Sequence, residues 1–303
     1  MSLDADSVVH RRRLKRALAW WRAGAIVLGA ALIVVAFGRI TDLPNRPYVA
    51  RVEVSGIITQ DLELNRLLQD LAEDGKVKAV VVAIDSPGGT VVGGESLFRH
   101  LRMISAKKPV VAVMGTLATS AGYMTALGAD YLVAHDGTIT GSIGVILQAT
   151  DVTGMLAKLG ITTEAIKSGP LKAVPNPFEP LTPAAREATR EVVLDLYNMF
   201  VSMVAERRDM DPDEALRLAD GRVFTGRQAL KAKLVDALGG EAAARAWLAE
   251  KHGISPALPV RDVAPDRELS VWSAARALVS GKTVLSERLT LDGVISLWHP
   301  DAR

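Results

Sequence analysis

Ser120 stands where an apolar, strand-like run meets a short helix-like one, in Thr119-Ser120-Ala121-Gly122-Tyr123. Its small neighbours leave the hydroxyl accessible, and the N-terminal end of a helix offers positive potential to a developing oxyanion. From this segment alone Ser120 is either a helix N-cap or a nucleophile. A second glycine turn, Asp85-Ser86-Pro87-Gly88-Gly89, follows another apolar run. It has neither the GK[ST] ending nor the GxGxxG spacing of a phosphate loop. It is either an ordinary tight turn or a place where uncovered backbone amides bind an oxyanion.

The chain has no cysteine and five histidines. Thiol nucleophiles, disulfide frameworks, thiolate zinc and iron–sulfur clusters are therefore excluded. His10, His100, His135, His252 and His299 have no ligand-like residue three or four positions further on. They read as solvated or structural, so a serine nucleophile needs a different base, and no metal or cofactor is expected. Lysine can serve if it loses enough solvent to be neutral near pH 7. Lys167-Ser168-Gly169-Pro170-Leu171-Lys172 supplies two candidates beside a glycine turn. The ordinary reading of either is a solvated surface charge.

These residues need a scaffold, and the pattern around them predicts an α/β domain. Tyr48–Val54, Val77–Ile84, Pro109–Met114, Tyr131–Ala134, Ile143–Leu147 and Thr162–Lys167 read as strands. Gln60–Asp74, Gly94–Ala106 and Ser120–Gly128 read as helices between them. Buried strands alternating with helices predict a largely parallel sheet covered by helices. Beyond Pro180 the pattern is helical: Thr182-Pro183 opens one helix, and Asp211-Pro212-Asp213-Glu214 opens another with an acidic capping box. Leu269–Trp298 reads as amphipathic helix packed on the body or on a neighbour.

The N-terminal segment is of another kind. Residues 17–38 are apolar apart from Arg22, follow the RRRLKR run, and begin with Trp20 and Trp21. About 20 apolar residues span a bilayer as a helix, indoles favour its interface, and basic residues stay on the cytoplasmic side. The reading is an uncleaved anchor with the body outside the cytoplasm; a cleaved signal peptide is the alternative, but no small-x-small site follows promptly. Seven basic and two acidic residues fall within 1–40, which leaves 29 basic against 32 acidic, net −3, in 41–303. The basic surplus thus belongs to the anchor, and no nucleic-acid partner is expected.

Taken together, six ordered segments resemble the signal peptide peptidase A family, membrane-anchored serine proteases of ClpP/crotonase-like fold. They are IDSPGG (Ile84–Gly89), ATSAGYM (Ala118–Met124), TGSIGV (Thr140–Val145), KSGPLKAVPNPF (Lys167–Phe178), GRVFTGRQAL (Gly221–Leu230) and LVDALGG (Leu234–Gly240). The resemblance covers Tyr48 to Gly240. It implies Ser120 as nucleophile and Lys172, rather than Lys167, as general base, with Ser142 orienting the lysine. It also implies oxyanion binding by the amides of Gly89 (or Gly88) and Ala121. Ser-Ala-Gly-Tyr stands here where Ser-Gly-Gly-Tyr is common, and alanine still leaves room. The implied organisation is a cytoplasmic tail (1–16), a transmembrane helix (17–38), a linker (39–47), a protease domain (48–240) and a helical extension (241–303).

The resemblance further implies an inner-membrane, single-pass enzyme with a periplasmic or extracytoplasmic catalytic domain. Its partners would be hydrophobic peptides, chiefly signal-peptide remnants, and other copies of itself in a ring that shares the dyad between subunits. Activity should fall on the acidic side of a depressed lysine pKa. A related anchored protease acting on other membrane or misfolded exported proteins is the neighbouring reading. A crotonase-type acyl-CoA enzyme would share the oxyanion site, but needs neither the Ser120–Lys172 pair nor an extracytoplasmic location.

Overall fold

A computed structural model describes residue 18, residues 20–30, residues 46–265 and the backbone of residues 295–297. The chain divides into two compact units, Met1–Arg46 and Pro47–Arg303. In the first, residues 20–30 form a helix, α1, with Trp20, Trp21, Ile26, Val27 and Leu28 exposed. Among the described residues no helix is long and apolar enough to cross a membrane. The rest of the 17–38 span, the basic tail and most of the linker lie outside the described residues.

The second unit starts with β1 (Tyr48–Ile58), α2 (Leu62–Glu73), β2 (Val77–Thr90), α3 (Val91–Ser105) and β3 (Val110–Thr119). β1 to β3 pair in parallel in the order β3-β2-β1. Their unbroken apolar runs follow from burial on both faces. Ala50, Val52, Val80, Val82, Ile84, Ala112 and Met114 enter one core, while Val49, Ala79, Val81 and Val111 enter another on the opposite face. Leu64, Leu68 and Leu71 of α2 and Leu97, Leu101 and Ile104 of α3 line the first core, as helical spacing requires. Asp61 caps α2 by accepting from the Glu63 and Leu64 amides, and Thr90 caps α3 by accepting from Gly93.

The chain continues through α4 (Ala121–Ala126), β4 (Tyr131–Ala134) and β5 (Ile139–Gly141). β3 forks: Val111–Met114 pairs with β4, and Leu117–Thr119 pairs with β5. Next come α5 (Thr153–Lys158), α6 (Pro183–Arg207), α7 (Pro212–Leu218), β6 (Val223–Thr225), α8 (Gly226–Lys231) and β7 (Ala237–Leu238). Thr182 caps α6 with Pro183 in its first turn, as expected. Asp211 caps α7, while the reciprocal capping box is formed at α8, between Thr225 and Gln228. α9 (Glu241–His252) covers the second core with Ala244, Leu248 and Trp247, and β8 (Val260–Asp262) extends the sheet beside β1.

Three expectations need correction. Ile143–Leu147 and Thr162–Lys167 form no strand. Ile143 is buried in the first core, but from residue 144 to residue 184 no residue is buried, so the remaining apolar residues of these runs lie on an arm without a core of its own. Within Leu269–Trp298, which otherwise lies outside the described residues, Ile295–Leu297 is a strand, β9, and not helix. It pairs antiparallel with Gly88–Thr90.

Candidate active site

The C-terminal ends of three neighbouring parallel strands carry the candidate residues. β2 carries Asp85–Gly89 in its last residues, where the expected tight turn is instead extended strand with register shifts against β1 and β3. β3 hands over to α4 at Ser120, and β5 runs into Ser142. Register places them together: Ser86 faces Ala118 and Thr119 faces Gly141, with parallel strands roughly 4.8 Å apart. The Ser120 amide donates to Gly141 O at 2.8 Å, and the Ser142 amide donates to Arg222 O at 2.8 Å. Thr140 Oγ1 ties β5 to β3 by donating to Ala118 O at 2.7 Å.

Ser120 adopts φ 57°, ψ −118°, a region that non-glycine residues avoid. It occupies the N-cap position of α4, yet its hydroxyl makes no capping bond. The capping role open to it in the sequence is therefore not taken up. It is buried and held at positive φ, with its hydroxyl free of any hydrogen bond among the described residues, so the surrounding structure must hold the strained backbone in place.

Its surroundings fix it from several sides. Tyr123 of α4 is fully buried, and its hydroxyl donates to Leu234 O at 2.8 Å; burial holds that phenol well above its ordinary pKa. Arg207 satisfies carbonyls at the far end of α4, with Nε 2.9 Å from Leu127 O and Nη2 3.0 Å from Ala129 O. At the near end the Ala121 amide belongs to the first helical turn, whose donors have no intrahelical partner. In β2, Gly89 runs so close to β1 that a Cβ there would collide with the Ile58 carbonyl oxygen. Only glycine allows this approach.

The two lysines separate clearly. Lys167 Nζ lies 2.6 Å from Glu179 Oε2, and Asn176 Nδ2 donates to the same carboxylate at 3.2 Å. That ion pair occupies the Lys167 side chain. Lys167 and Glu179 instead close a clip at the base of the loop that carries Lys172. Lys172 is exposed, and its ammonium has no hydrogen-bond or ion-pair partner among the described residues. Its backbone amide donates to Gly169 O at 3.1 Å, forming a turn. The structure thus assembles Ser120, Ser142, the Gly88-Gly89 pair and the Ala121 amide, and leaves Lys172 on the exposed arm with no hydrogen bond to Ser120.

The clip sets a pH dependence. Hydrogen bonds from Lys167 and then Asn176 hold the Glu179 carboxyl below its ordinary pKa. A depressed carboxylate stabilises the folded form above its unfolded pKa and loses that contribution as pH falls through its folded pKa. We expect residues 163–180 to exchange amide hydrogens faster in Glu179→Gln than in wild type at pH 7. After correction for intrinsic rates, the difference should shrink as pH falls below the ordinary carboxylate pKa of about 4.3 and be gone once the lowered pKa of Glu179 is passed. A difference unchanged between pH 7 and pH 3 would show that the ion pair does not hold the loop.

A parallel sheet that delivers a strained serine to a short helix beside a glycine-bearing strand end defines an α/β protein. The sequence profile of peptidase family S49 matches residues 102–255, and the chain belongs to that family. It is a serine protease. It is 40% identical over 214 residues to "Putative protease slr0021" of Synechocystis, covering 70% of this chain and 77% of that protein. It is 32% identical over 205 residues to "Putative signal peptide peptidase SppA" of Enterococcus faecium, covering 63% of this chain and 60% of that one. Among solved structures, a variant of the 1510-N membrane-bound stomatin-specific protease superposes with a TM-score of 0.49 at 16% identity, over 73% of this chain and 99% of that one.

Sequence reading missed Ser86. It is fully buried between the two halves of the site, and its hydroxyl lies 3.1 Å from the Gly88 amide nitrogen. The readable signal was a hydroxyl two residues ahead of a glycine, the pattern of a side-chain-closed turn.

Proposed function

We propose that the chain is a membrane-anchored endopeptidase of ClpP/crotonase-like fold that cuts extended hydrophobic peptides, signal-peptide remnants foremost, through Ser120 and Lys172. The observation that carries this reading is the buried, uncapped, positive-φ Ser120 beside the Gly88-Gly89 pair. Neutral Lys172 removes the Ser120 proton, and Oγ attacks the peptide carbonyl. Amides of the glycine pair and of Ala121 stabilise the oxyanion, and the lysine returns the proton to the leaving amine. Water then attacks the acyl-enzyme with the lysine again as base. Ser142, adjacent to Ser120 by strand register, orients the ammonium.

A general base of this kind must lose its water, and within one chain Lys172 is exposed. Assembly answers this: Ile146, Met155, Leu159, Ile161, Ile166, Leu171 and Phe178 are exposed apolar residues on the same arm. In a ring of copies the arm seats Lys172 against the neighbour's Ser120. The pairing of residues 295–297 with Gly88–Thr90 supports substrate docking, because that stretch already accepts an extended backbone. The exposed indoles and aliphatic side chains of α1, preceded by the basic run, support anchoring with the body outside the cytoplasm.

The test is covalent. A fluorophosphonate probe should label membranes containing the wild-type protein at Ser120, and a hydrophobic signal-sequence peptide added beforehand should protect against it. Labelling at another residue, or none with folded protein, would remove the reading.

A further inference from the structure

The two candidate oxyanion donors sit on separate elements, the end of β2 and the first turn of α4, and Ser86 lies between these elements, bonded to Gly88 and packed behind Gly122. Ser86 Oγ accepts the Gly88 N–H at 3.1 Å and lies 3.3 Å from Gly88 O, to which it can donate. Gly88 is thereby held at φ 114°. On the other side Ser86 backs onto Gly122. A Cβ built on Gly122 would lie 3.2 Å from Ser86 O and 3.4 Å from Ser86 Cβ. The same residue pairs across the sheet with Ala118, two positions before Ser120. A shift of Ser86 therefore moves the glycine pair relative to the helix.

We propose that Ser86 is a positioning residue for the oxyanion site. Its hydroxyl engages the Gly88 amide, assigns oxyanion binding to the Gly89 amide, and sets the spacing between that amide and the one at Ala121. This rests on Ser120 being the nucleophile. The Gly88 N–H, bonded inward, is not available to a substrate oxygen. Gly89, pressed against Ile58 O, is the next donor along the strand and has no freedom to swing away. Removing a donor from an oxyanion hole outright costs about 10²- to 10³-fold in kcat. Loosening one costs less, on the order of tenfold, because misplacement by a fraction of an ångström is enough to weaken it.

The test uses the full-length protein in detergent or vesicles with a peptide boronate, whose tetrahedral Ser120 adduct places an oxygen in the site. In Ser86→Ala we expect kcat to fall about tenfold with KM within about twofold, and boronate affinity to fall in proportion to kcat/KM. Ser86→Cys, which keeps the volume but bonds weakly, should show the same split and stands in if the alanine variant does not fold. In the wild-type complex, isotope-labelled at glycine, the Gly89 amide proton should move downfield on boronate binding and Gly88 should not. Unchanged kcat with unchanged boronate affinity would overturn the proposal. So would a proportional loss of active protein at constant boronate affinity, or a shift at Gly88 instead. If Ser120→Ala still cleaved peptide, the nucleophile assignment itself would fail, and that outcome is separate from any at Ser86.

Discussion

Ser120→Ala should lose peptide cleavage by a factor on the order of 10⁴ to 10⁶ and leave the fold intact, because in the proposed mechanism this hydroxyl is the nucleophile and the fold makes no use of it. It caps no helix and makes no hydrogen bond among the described residues, so its removal orphans no partner. The cost of the residue lies in its backbone. A non-glycine residue at φ 57°, ψ −118° stores about 1–3 kcal/mol. Alanine carries the same strain, whereas glycine relieves it and gives back roughly 0.5–1 kcal/mol through the freer unfolded chain. Ser120→Gly should therefore unfold at no lower denaturant concentration than Ser120→Ala, while both are inactive. Chemical denaturation beside a cleavage assay reads both quantities. Cleavage by the alanine variant above a thousandth of wild type would place the nucleophile elsewhere.

That strain is invisible in the sequence, where the segment alone located Ser120 but left cap and nucleophile open, and only the family resemblance assigned it. Two-sided burial made β2 and β3 readable as continuous apolar runs, and the end of each run pointed to a turn. A serine after a strand and before a helix looks the same whether it caps or attacks; the difference lies in φ and in one missing hydrogen bond. α3 was read as starting at Gly94 rather than Val91, because Gly93-Gly94 is unfavourable helix sequence. Close packing outweighs propensity there, since a Cβ on Gly94 would lie 3.0 Å from Ala121 Cβ on α4.

The misread strands have a different cause. Apolar, β-branched residues at Ile143–Leu147 and Thr162–Lys167 record a demand for burial, and sequence periodicity cannot say which surface meets it. Within one chain only Ile143, with Val145 packed beside it, reaches the core; the rest stay half-buried or exposed. The same limit applies to α9 and β8. β8 pairs with β1 through the backbone and α9 covers the second core, and Arg51 of β1 reaches both, Glu241 Oε2 at 2.8 Å and Asp262 Oδ2 at 2.9 Å, nearly 200 or more positions away in the chain. Pairings across such distances follow from topology and leave no local trace.

The exposed arm leads to the second large effect, at Lys172. Lys172→Ala alone should lose activity by 10²-fold or more, as loss of a general base does, while Lys167→Ala should retain most of it with a looser loop. Mixing decides where the base acts. In a head-to-tail ring each site takes Ser120 from one subunit and Lys172 from the next. If Ser120→Ala and Lys172→Ala subunits assemble at random in equal amounts, about one interface in four joins an intact serine to an intact lysine, so activity should return to about a quarter of wild type. A dyad contained within one subunit gives none, because every subunit lacks one member. The measurement needs rings dissociated, mixed and reassembled, with mass spectrometry confirming mixed composition. No recovery in verified mixed rings would confine the dyad to one chain and leave the apolar arm needing a different partner. Recovery near a quarter would explain together why Lys172 lies exposed, why the residues around it are apolar, and why Ser120 stands in one chain with no base bonded to it.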